Sequence, residues 1–449
     1  MKSSARFYFD LALAVALACA CAPTSALATT LEMYGFGARS AALAGAVEAS
    51  DVDYFAAFAN PANLAFSQQI HFGFGTDMVW NRFAIQRVAG EGAYPNQLPV
   101  DNYLAHLGIS TPIGGPLHNK LALGIAIHLP LGGPTRLDAH DYRQPQLPLY
   151  DTLGDRLALV LGLGYRPLPW LSFGVAAQIL TSLDGRADIA LSVLDHRITQ
   201  KALDVTLSTD AYPIAGVTVQ PREDWRLSLV WRRSSQVSYA LPLQVNLQEV
   251  GNLAFKIQGI GLWLPDTFVL AAMHQVGPLQ INGGAAWLRY SAMPPLAPQV
   301  SVVIDDAALK QGNTQPDKVI DVKNQPVAMG AVDVLEPRLG VEWQVAEPAA
   351  LAAPLVLRFG LKYRPTPLPR ADGAANYLDA PATTIALGAG IVTGDPLALA
   401  TQPLHVDLAV STTFLARRTV QKLDPNDPVQ ATSVSGAAWH LALTLHHDF

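Results

Sequence analysis

Large apolar side chains recur at every second position along most of this chain. In Leu157–Tyr165 every odd position is large and apolar, and most even positions are small. In Leu355–Tyr363 the even positions include Arg358, Gly360 and Lys362, and in Leu335–Val345 they carry Glu336, Arg338, Gly340, Glu342 and Gln344. In Leu404–Phe414, Leu404, Val406, Leu408 and Val410 share one face, with His405, Asp407 and Ser411 on the other. A strand points successive side chains to opposite faces, so a period of two predicts strands with one apolar and one polar face.

Turn signals divide these runs into a count. Short Pro/Gly/Asp links fall at Arg166–Trp170, Pro221–Asp224, Val276–Pro278, Ala346–Pro354 and Thr393–Pro403. They alternate with longer polar or irregular stretches at 81–102, 130–154, 183–202, 234–264, 291–334, 365–381 and 416–436, which are expected to be loops. Strands are predicted to begin near residues 69, 103, 121, 155, 171, 205, 225, 264, 279, 335, 354, 381, 403 and 437. That makes about 14, an even number, as a bacterial single-chain membrane barrel requires, with short turns facing the periplasm and long loops outside. A soluble sandwich also alternates. Aromatic residues near strand ends on the apolar face (Trp225, Trp231, Trp287, Trp343, Tyr363, Trp439) favour the barrel, because interfacial girdles place them there. So does the length of the strands, which suits a tilted membrane crossing. The last segment sets Trp439, Leu441, Leu443, Leu445, His447 and Phe449 on one face. It resembles the terminal strand by which such barrels meet the barrel assembly machinery.

Composition supports the same class. Half of the residues are hydrophobic and only 15% are charged, against roughly 25% charged in soluble proteins. Beyond the N-terminal segment no run of 18 or more uncharged apolar residues exists, so helical membrane spans are not expected. A closed barrel is then the remaining way to satisfy every backbone group in lipid. At the start, Lys2 and Arg6 precede an apolar run from Leu11 to Ala22 and the small-x-small signal Ala26-Leu27-Ala28. This layout is expected to be a secretory signal peptide, residues 1–28, cleaved after Ala28. Cys19 and Cys21 both lie within it, so no disulfide, thiol nucleophile or cysteine metal site is expected beyond it. Ala16-Leu17-Ala18 before Cys19 is a poor acylation signal. The net charge of −6 gives no reason to expect nucleic acid as a partner.

Residues 29–68 do not fit the wall. They are rich in Ala and Gly, and their apolar content (including Leu43, Phe55, Phe58 and Leu64) argues against disorder. They are predicted to fold back into the lumen as a plug of turns and short helices, leaving 69–449 as the barrel.

The stretch Tyr34–Phe66, YGFGARSAALAGAVEASDVDYFAAFANPANLAF, resembles the N-terminal hatch of the FadL family of outer-membrane transporters. The matching parts are the Gly/Ala-rich run Gly35–Ala46 (with Gly35 and Gly37), the acidic pair Asp51 and Asp53, and the motif Asn60-Pro61-Ala62. Asn63 replaces the family's usual Gly after the motif. Weaker likenesses run through Leu121–Gly133, Leu229–Tyr239, Leu264–Gln275 and Leu357–Pro369. The resemblance implies a 14-stranded barrel plugged by its hatch. It implies hydrophobic molecules caught by outer loops, held in a lumenal pocket and released sideways where the third strand kinks. Long-chain fatty acids are the expected cargo, with aromatic hydrocarbons the alternative. The implied partners are the hydrophobic small molecule and outer-membrane lipid; a monomer without cofactor is expected.

The residues permit such a role. Parity points Arg156, Arg226, Arg232, Arg338, Arg358 and Lys362 to the lumen, and a charge facing lipid would cost about 2–4 kcal/mol at mid-bilayer. Arg226, Arg338, Arg358 and Lys362 are candidate carboxylate binders. Glu336, Glu342, Asp407 and Asp448 also point inward, and simple lumenal ion pairs are the competing reading. Leu131, Leu137, Leu147, Leu149 and Tyr150, in a loop stiffened by prolines, are candidates for substrate capture, against self-packing of the loop. Gly124 and the pair Gly132-Gly133 are candidates for the lateral gap, since glycine allows a kink. His440 and His446 are expected to face the lumen and His447 the membrane edge, with no metal site, because metal binding needs converging ligands. No Gly-x-Ser-x-Gly elbow or phosphate-binding loop is present, and an enzyme is not expected. The rivals are a scaffold that anchors partner proteins and, ranked lower, an open porin.

Overall fold

The computed structural model describes residues 35–88, 98–117, 120–131, 143–150, 157–192, 197–247, 251–296, 299–305, 322–323, 330–345, 353–370, 375–394, 403–422 and 429–449. The expected signal peptide and residues 29–34 lie outside them. The strands are β1 (His71–Arg87), β2 (Asn102–Pro112), β3 (Leu121–Pro130), β4 (Ala158–Leu168), β5 (Leu171–Ser192), β6 (Arg197–Arg222), β7 (Trp225–Arg232), β8 (Ser235–Leu247), β9 (Gly251–Leu264), β10 (Thr267–Val276), β11 (Leu279–Leu288), β12 (Gln299–Asp305), β13 (Val322–Lys323), β14 (Val334–Val345), β15 (Leu355–Arg364), β16 (Ala382–Thr393), β17 (Leu404–Val420) and β18 (Thr432–Asp448). Among the described residues no helix is long and apolar enough to cross a membrane.

Fourteen of these strands form a closed antiparallel wall. β1 to β7 follow one another around it, β10 pairs with β7, β11 with β10, β14 with β11, and β15 to β18 complete the circuit. β18 then pairs with β1 from His71↔Asp448 to Arg87↔Thr432. Just beyond, Ile70 and Phe449 exchange backbone hydrogen bonds at 3.1 and 2.8 Å. No strand edge is left in the wall, which is the condition for a sheet to sit in hydrocarbon.

The predicted alternation decides which side is which. On β4 the large residues Leu161 and Leu163 face outward, while Gly162 and Gly164 face in. On β15, Leu357, Phe359, Leu361 and Tyr363 are exposed and Arg358, Lys362 and Arg364 are buried. In a soluble protein the large apolar face would be the covered one. Here Leu270 is 67% and Leu387 61% exposed, an arrangement that lipid makes favourable and water would not. Trp287, Trp343, Tyr363 and Trp439 lie on this outer face.

Three stretches expected to be loops carry strands. β5 and β6 run on together beyond the wall through 183–202, from Leu183↔Leu207 to Ser192↔Arg197. Within 234–264, β8 runs parallel to the far part of β5 and pairs with β9. Within 291–334, β12 pairs with β9 and with the two-residue β13. Together they make an arm that stands off the extracellular rim. Its sequence mixes polar and apolar residues without a sustained apolar face, so the membrane pattern is missing although the strands are present. For the same reason β17 and β18 extend into the 416–436 stretch, to Val420 and from Thr432.

The plug occupies the lumen. It consists of α1 (Gly37–Ala42), α2 (Ala56–Ala59) and a 3₁₀-helix, Pro61–Phe66, joined by turns. Ala38, Ala41 and Ala42 of α1 pack on Ala409 and Ala442 of β17 and β18. α2 and the 3₁₀-helix lie against β3 to β5. Small residues on both surfaces let backbone approach backbone inside the barrel. Gly37 shows the constraint: its φ is +79°, and a Cβ there would collide with the Phe55 ring.

The outer face predicts one outcome. Leu387 is midway along β16, so Leu387→Arg should destabilise the folded barrel by about 2–4 kcal/mol. Denaturant titration in liposomes reads this directly, and an unchanged midpoint would show that Leu387 does not face lipid.

Candidate functional site: the plugged lumen and its outer pocket

The Asn60-Pro61-Ala62 motif is the hinge on which the plug is fixed. Asn60 is extended and caps the 3₁₀-helix, its Oδ1 accepting from Ala62 N at 3.1 Å. Its Nδ2 donates to Thr218 Oγ1 of β6 and to Glu48 O, both at 2.8 Å. Asn63, which stands where a glycine was expected, adds a second set. Its Nδ2 donates to Glu48 O at 3.0 Å and its Oδ1 accepts from Thr218 Oγ1 at 2.7 Å. Pro61 supplies the fixed φ suited to the first helical position.

Charges lock the other side. Glu48 of the plug accepts from Arg338 Nη1 at 2.7 Å and Arg232 Nη2 at 3.2 Å. Arg232 also donates to Phe58 O and Ala59 O. Arg39 of α1 bonds Asp51 and Glu342 of β14. Glu342 and Asp407 each accept from Arg358 at 2.5 Å, so a chain of charges runs from the plug to the periplasmic half of the wall. Deeper in the wall, Ala38 N donates to Thr444 Oγ1, which also hydrogen-bonds with His106 Nε2 at 3.1 Å, while His106 and His440 both donate to Asp77. The order hydroxyl–imidazole–carboxylate is that of a nucleophile relay, but all of it is buried and the hydroxyl oxygen holds the plug.

Above the plug, on the extracellular side, is a cavity of about 50 Å³. Its walls are Leu149, Tyr150, Trp263, Leu264, Leu288 and Tyr290, and its floor holds Glu336, Arg338, Lys362 and Arg364. Two short segments fold over it. Gln146 and Tyr377 form a parallel bridge, Gln146 N donates to Asn376 O at 3.1 Å, and Leu378 N donates to Gln146 O at 2.8 Å. Arg364 ties this lid to the floor by donating to Tyr150 OH at 2.8 Å and to Asp379 Oδ1 at 3.1 Å. Burial raises the Tyr150 hydroxyl well above its ordinary range, so it stays protonated. Arg338 lines this cavity and also a smaller one of about 20 Å³ between plug and wall.

The residues singled out in the sequence are thus spread over several places. Leu149, Tyr150, Arg338 and Lys362 line the outer cavity. Leu147 is buried behind them, and Leu131 is 51% exposed at the end of β3. Leu137 lies outside the described residues, as do Arg156 and Gly132-Gly133. Arg358 is in the charge chain and does not line the cavity. Arg226 is near the periplasmic end of β7, where its guanidinium and that of Arg166 lie 4.6 and 4.3 Å from the Phe66 ring. Gly35 and Gly37 begin the described plug. Gly124 is in register with Ser110 on β2 and Gly162 on β4, with no break in either ladder. A Cβ on Gly124 would come within 2.7 Å of Leu64, so the plug fills that notch.

Trp263, Tyr290 and Arg364 went unnoticed in the sequence. Arg364 continues the inward parity of Arg358 and Lys362 and was within reach of that pattern. Trp263 and Tyr290 fall in stretches without alternation, and nothing local marks them.

A family model for the outer membrane protein transport proteins (OMPP1/FadL/TodX) matches residues 17–449. The chain belongs to this family. It is therefore an outer-membrane transport protein. Solved structures of the same fold include a FadL homologue from Pseudomonas aeruginosa (TM-score 0.54, 13% identity, covering 95% of this chain and 98% of that one). They also include the Pseudomonas putida toluene transporter TodX (TM-score 0.55, 14% identity, 93% and 99%). A third is the monoaromatic hydrocarbon channel CymD (TM-score 0.55, 15% identity, 93% and 98%). No curated protein matches the sequence.

Asn60 should carry much of the plug's attachment. Asn60→Ala removes the cap and the bond to Thr218, a loss of about 1–3 kcal/mol. The expected result is higher and noisier ion conductance in planar bilayers. An unchanged conductance would show that the plug is held elsewhere.

Proposed function

We propose that the protein admits small hydrophobic molecules across the outer membrane by diffusion, through the outer cavity and past the plug. The observation that carries this reading is the cavity itself: apolar and aromatic walls beside a charged floor, covered by the segments 143–150 and 375–381, with Arg338 of its lining bonded to Glu48 of the plug. Such a lining desolvates an apolar molecule and orients any polar end toward the floor.

Size bears on the cargo. The enclosed volume, about 50 Å³, is smaller than the roughly 150 Å³ cavity that accommodates a benzene ring. The structure therefore describes a shut pocket, and cargo enters as the lid formed by 143–150 and 375–381 gives way. A single ring needs the least displacement; a long acyl chain needs much more. The floor charges point the same way. Arg338 is engaged by Glu48 and Glu336, and Arg364 by Asp379. A fatty-acid carboxylate must compete with these partners, whereas an aromatic hydrocarbon leaves them in place. Long-chain fatty acid remains the second reading, favoured by three cations sharing one floor. Sideways release is part of the same proposal. It requires Leu64 and Ala57 to withdraw from the notch at Gly124 and a ladder beside β3, continuous in this structure, to part there.

Uptake of labelled toluene and labelled oleate by a Gram-negative host producing the protein tests the reading. Toluene entry should rise severalfold over cells lacking it, and Leu149→Trp, which fills the cavity, should abolish the gain. Enhanced oleate entry alone would select the fatty-acid reading. Enhancement of neither would overturn the transport of hydrophobic molecules.

A further inference from the structure

At the periplasmic rim, three side chains from β17 and β18 converge on one point of the inner face. His405 and His446 are a cross-strand pair whose rings stack at 4.4 Å with only 14° between their planes. Asp448, two residues on from His446 and on the same face, brings Oδ2 to 3.4 Å from His405 Nε2. One ligand atom from each of the three lies within 4.8 Å of the others. All three are half-buried, so an ion can reach them from the periplasmic opening.

Neighbouring groups hold these side chains in place. Asp448 Oδ1 accepts from His71 Nδ1 on β1 at 2.6 Å, and His71 Nε2 meets Ser67 Oγ at 2.5 Å. Asp407 Oδ2 lies 3.8 Å from His446 Nδ1. A carboxylate behind a ligating imidazole, and a donor behind a ligating carboxylate, are the outer contacts that orient metal ligands.

We propose that His405, His446 and Asp448 bind a single transition-metal dication, zinc being the best match, at the periplasmic mouth of the barrel. Two imidazoles and one carboxylate with a fourth position left to water are a common zinc set. Bonds near 2.0–2.1 Å would place tetrahedral ligand atoms about 3.3 Å apart. The His405–Asp448 pair already has that spacing; an imidazole lone pair lies in the ring plane, so His446 must turn out of its stack on His405 to join the same ion. The bound ion cross-links β17 to β18. Through His71 it also bears on β1 and on Ser67, where the plug joins the wall. The site is separate from the outer cavity and does not depend on what the cavity carries.

The test uses the full-length barrel, prepared without a histidine tag and stripped with chelator. Zn²⁺ titration by calorimetry should show one site per barrel, and Co²⁺ should give the visible bands of low-coordinate cobalt. His405→Ala and His446→Ala should each weaken binding about tenfold or more. His447→Ala, whose ring lies beside Pro403 O and Phe449, should leave it unchanged. In the unsubstituted protein, Zn²⁺ should protect His405 and His446 from histidine-modifying reagent, read by mass spectrometry, so the result does not depend on the variants folding. Absence of one-to-one binding, binding that persists in the His405→Ala and His446→Ala double variant, or protection of other histidines instead would overturn the proposal.

Discussion

Closure of the wall is the constraint from which the rest follows. Inside hydrocarbon an unpaired backbone group costs several kcal/mol, so β18 must return to β1 and the circuit must be complete. Closure creates a lumen, and a fourteen-strand lumen is too wide to be filled by wall side chains alone. Residues 35–66 fill it. The wall accommodates them where it presents glycine inward, as at Gly162 and Gly164 of β4 and Gly360 of β15, against which plug residues pack.

The plug is held in two ways, with different physical characters. Around α1 the contact is alanine on alanine, dependent on close fit. Around Glu48 and Asn60 it is ionic and hydrogen-bonded. Buried ion pairs add little net stability over apolar packing, yet breaking one by removing a single partner costs about 3–5 kcal/mol. The polar side of the seat is thus specific rather than adhesive: it sets where the plug sits. Water entering the lumen can take over those hydrogen bonds, which apolar packing would not allow at comparable cost.

The wall was legible in the sequence and the site largely was not, for one reason. A membrane face imposes the same demand at every second residue, and repetition makes the demand visible: predicted strand starts such as 121, 171, 225 and 279 coincide with those of β3, β5, β7 and β11. The arm built from β8, β9 and β12 carries no such demand and read as loop. The outer cavity is assembled from single residues of distant elements, Tyr150, Trp263, Tyr290 and Arg364, each unremarkable in its own segment. The rim cluster is assembled in the same way, with His446 and Asp448 on β18 and His405 supplied by the neighbouring strand. The plug motif was the exception, because Asn60, Pro61 and Asn63 do their work within four residues of one another.

Arg338 touches Glu336 beneath the outer cavity and Glu48 of the plug with one guanidinium. Occupancy above and seating below are therefore terms in a single equilibrium. A guest that draws Arg338 toward itself loosens the plug by some factor, and thermodynamic reciprocity requires that loosening the plug raise that guest's affinity by the same factor. A guest indifferent to Arg338 shifts nothing through this contact, however tightly it binds. Under the proposed transport, one side chain would let the barrel distinguish molecules by how they redistribute a shared hydrogen bond as well as by how well they fit.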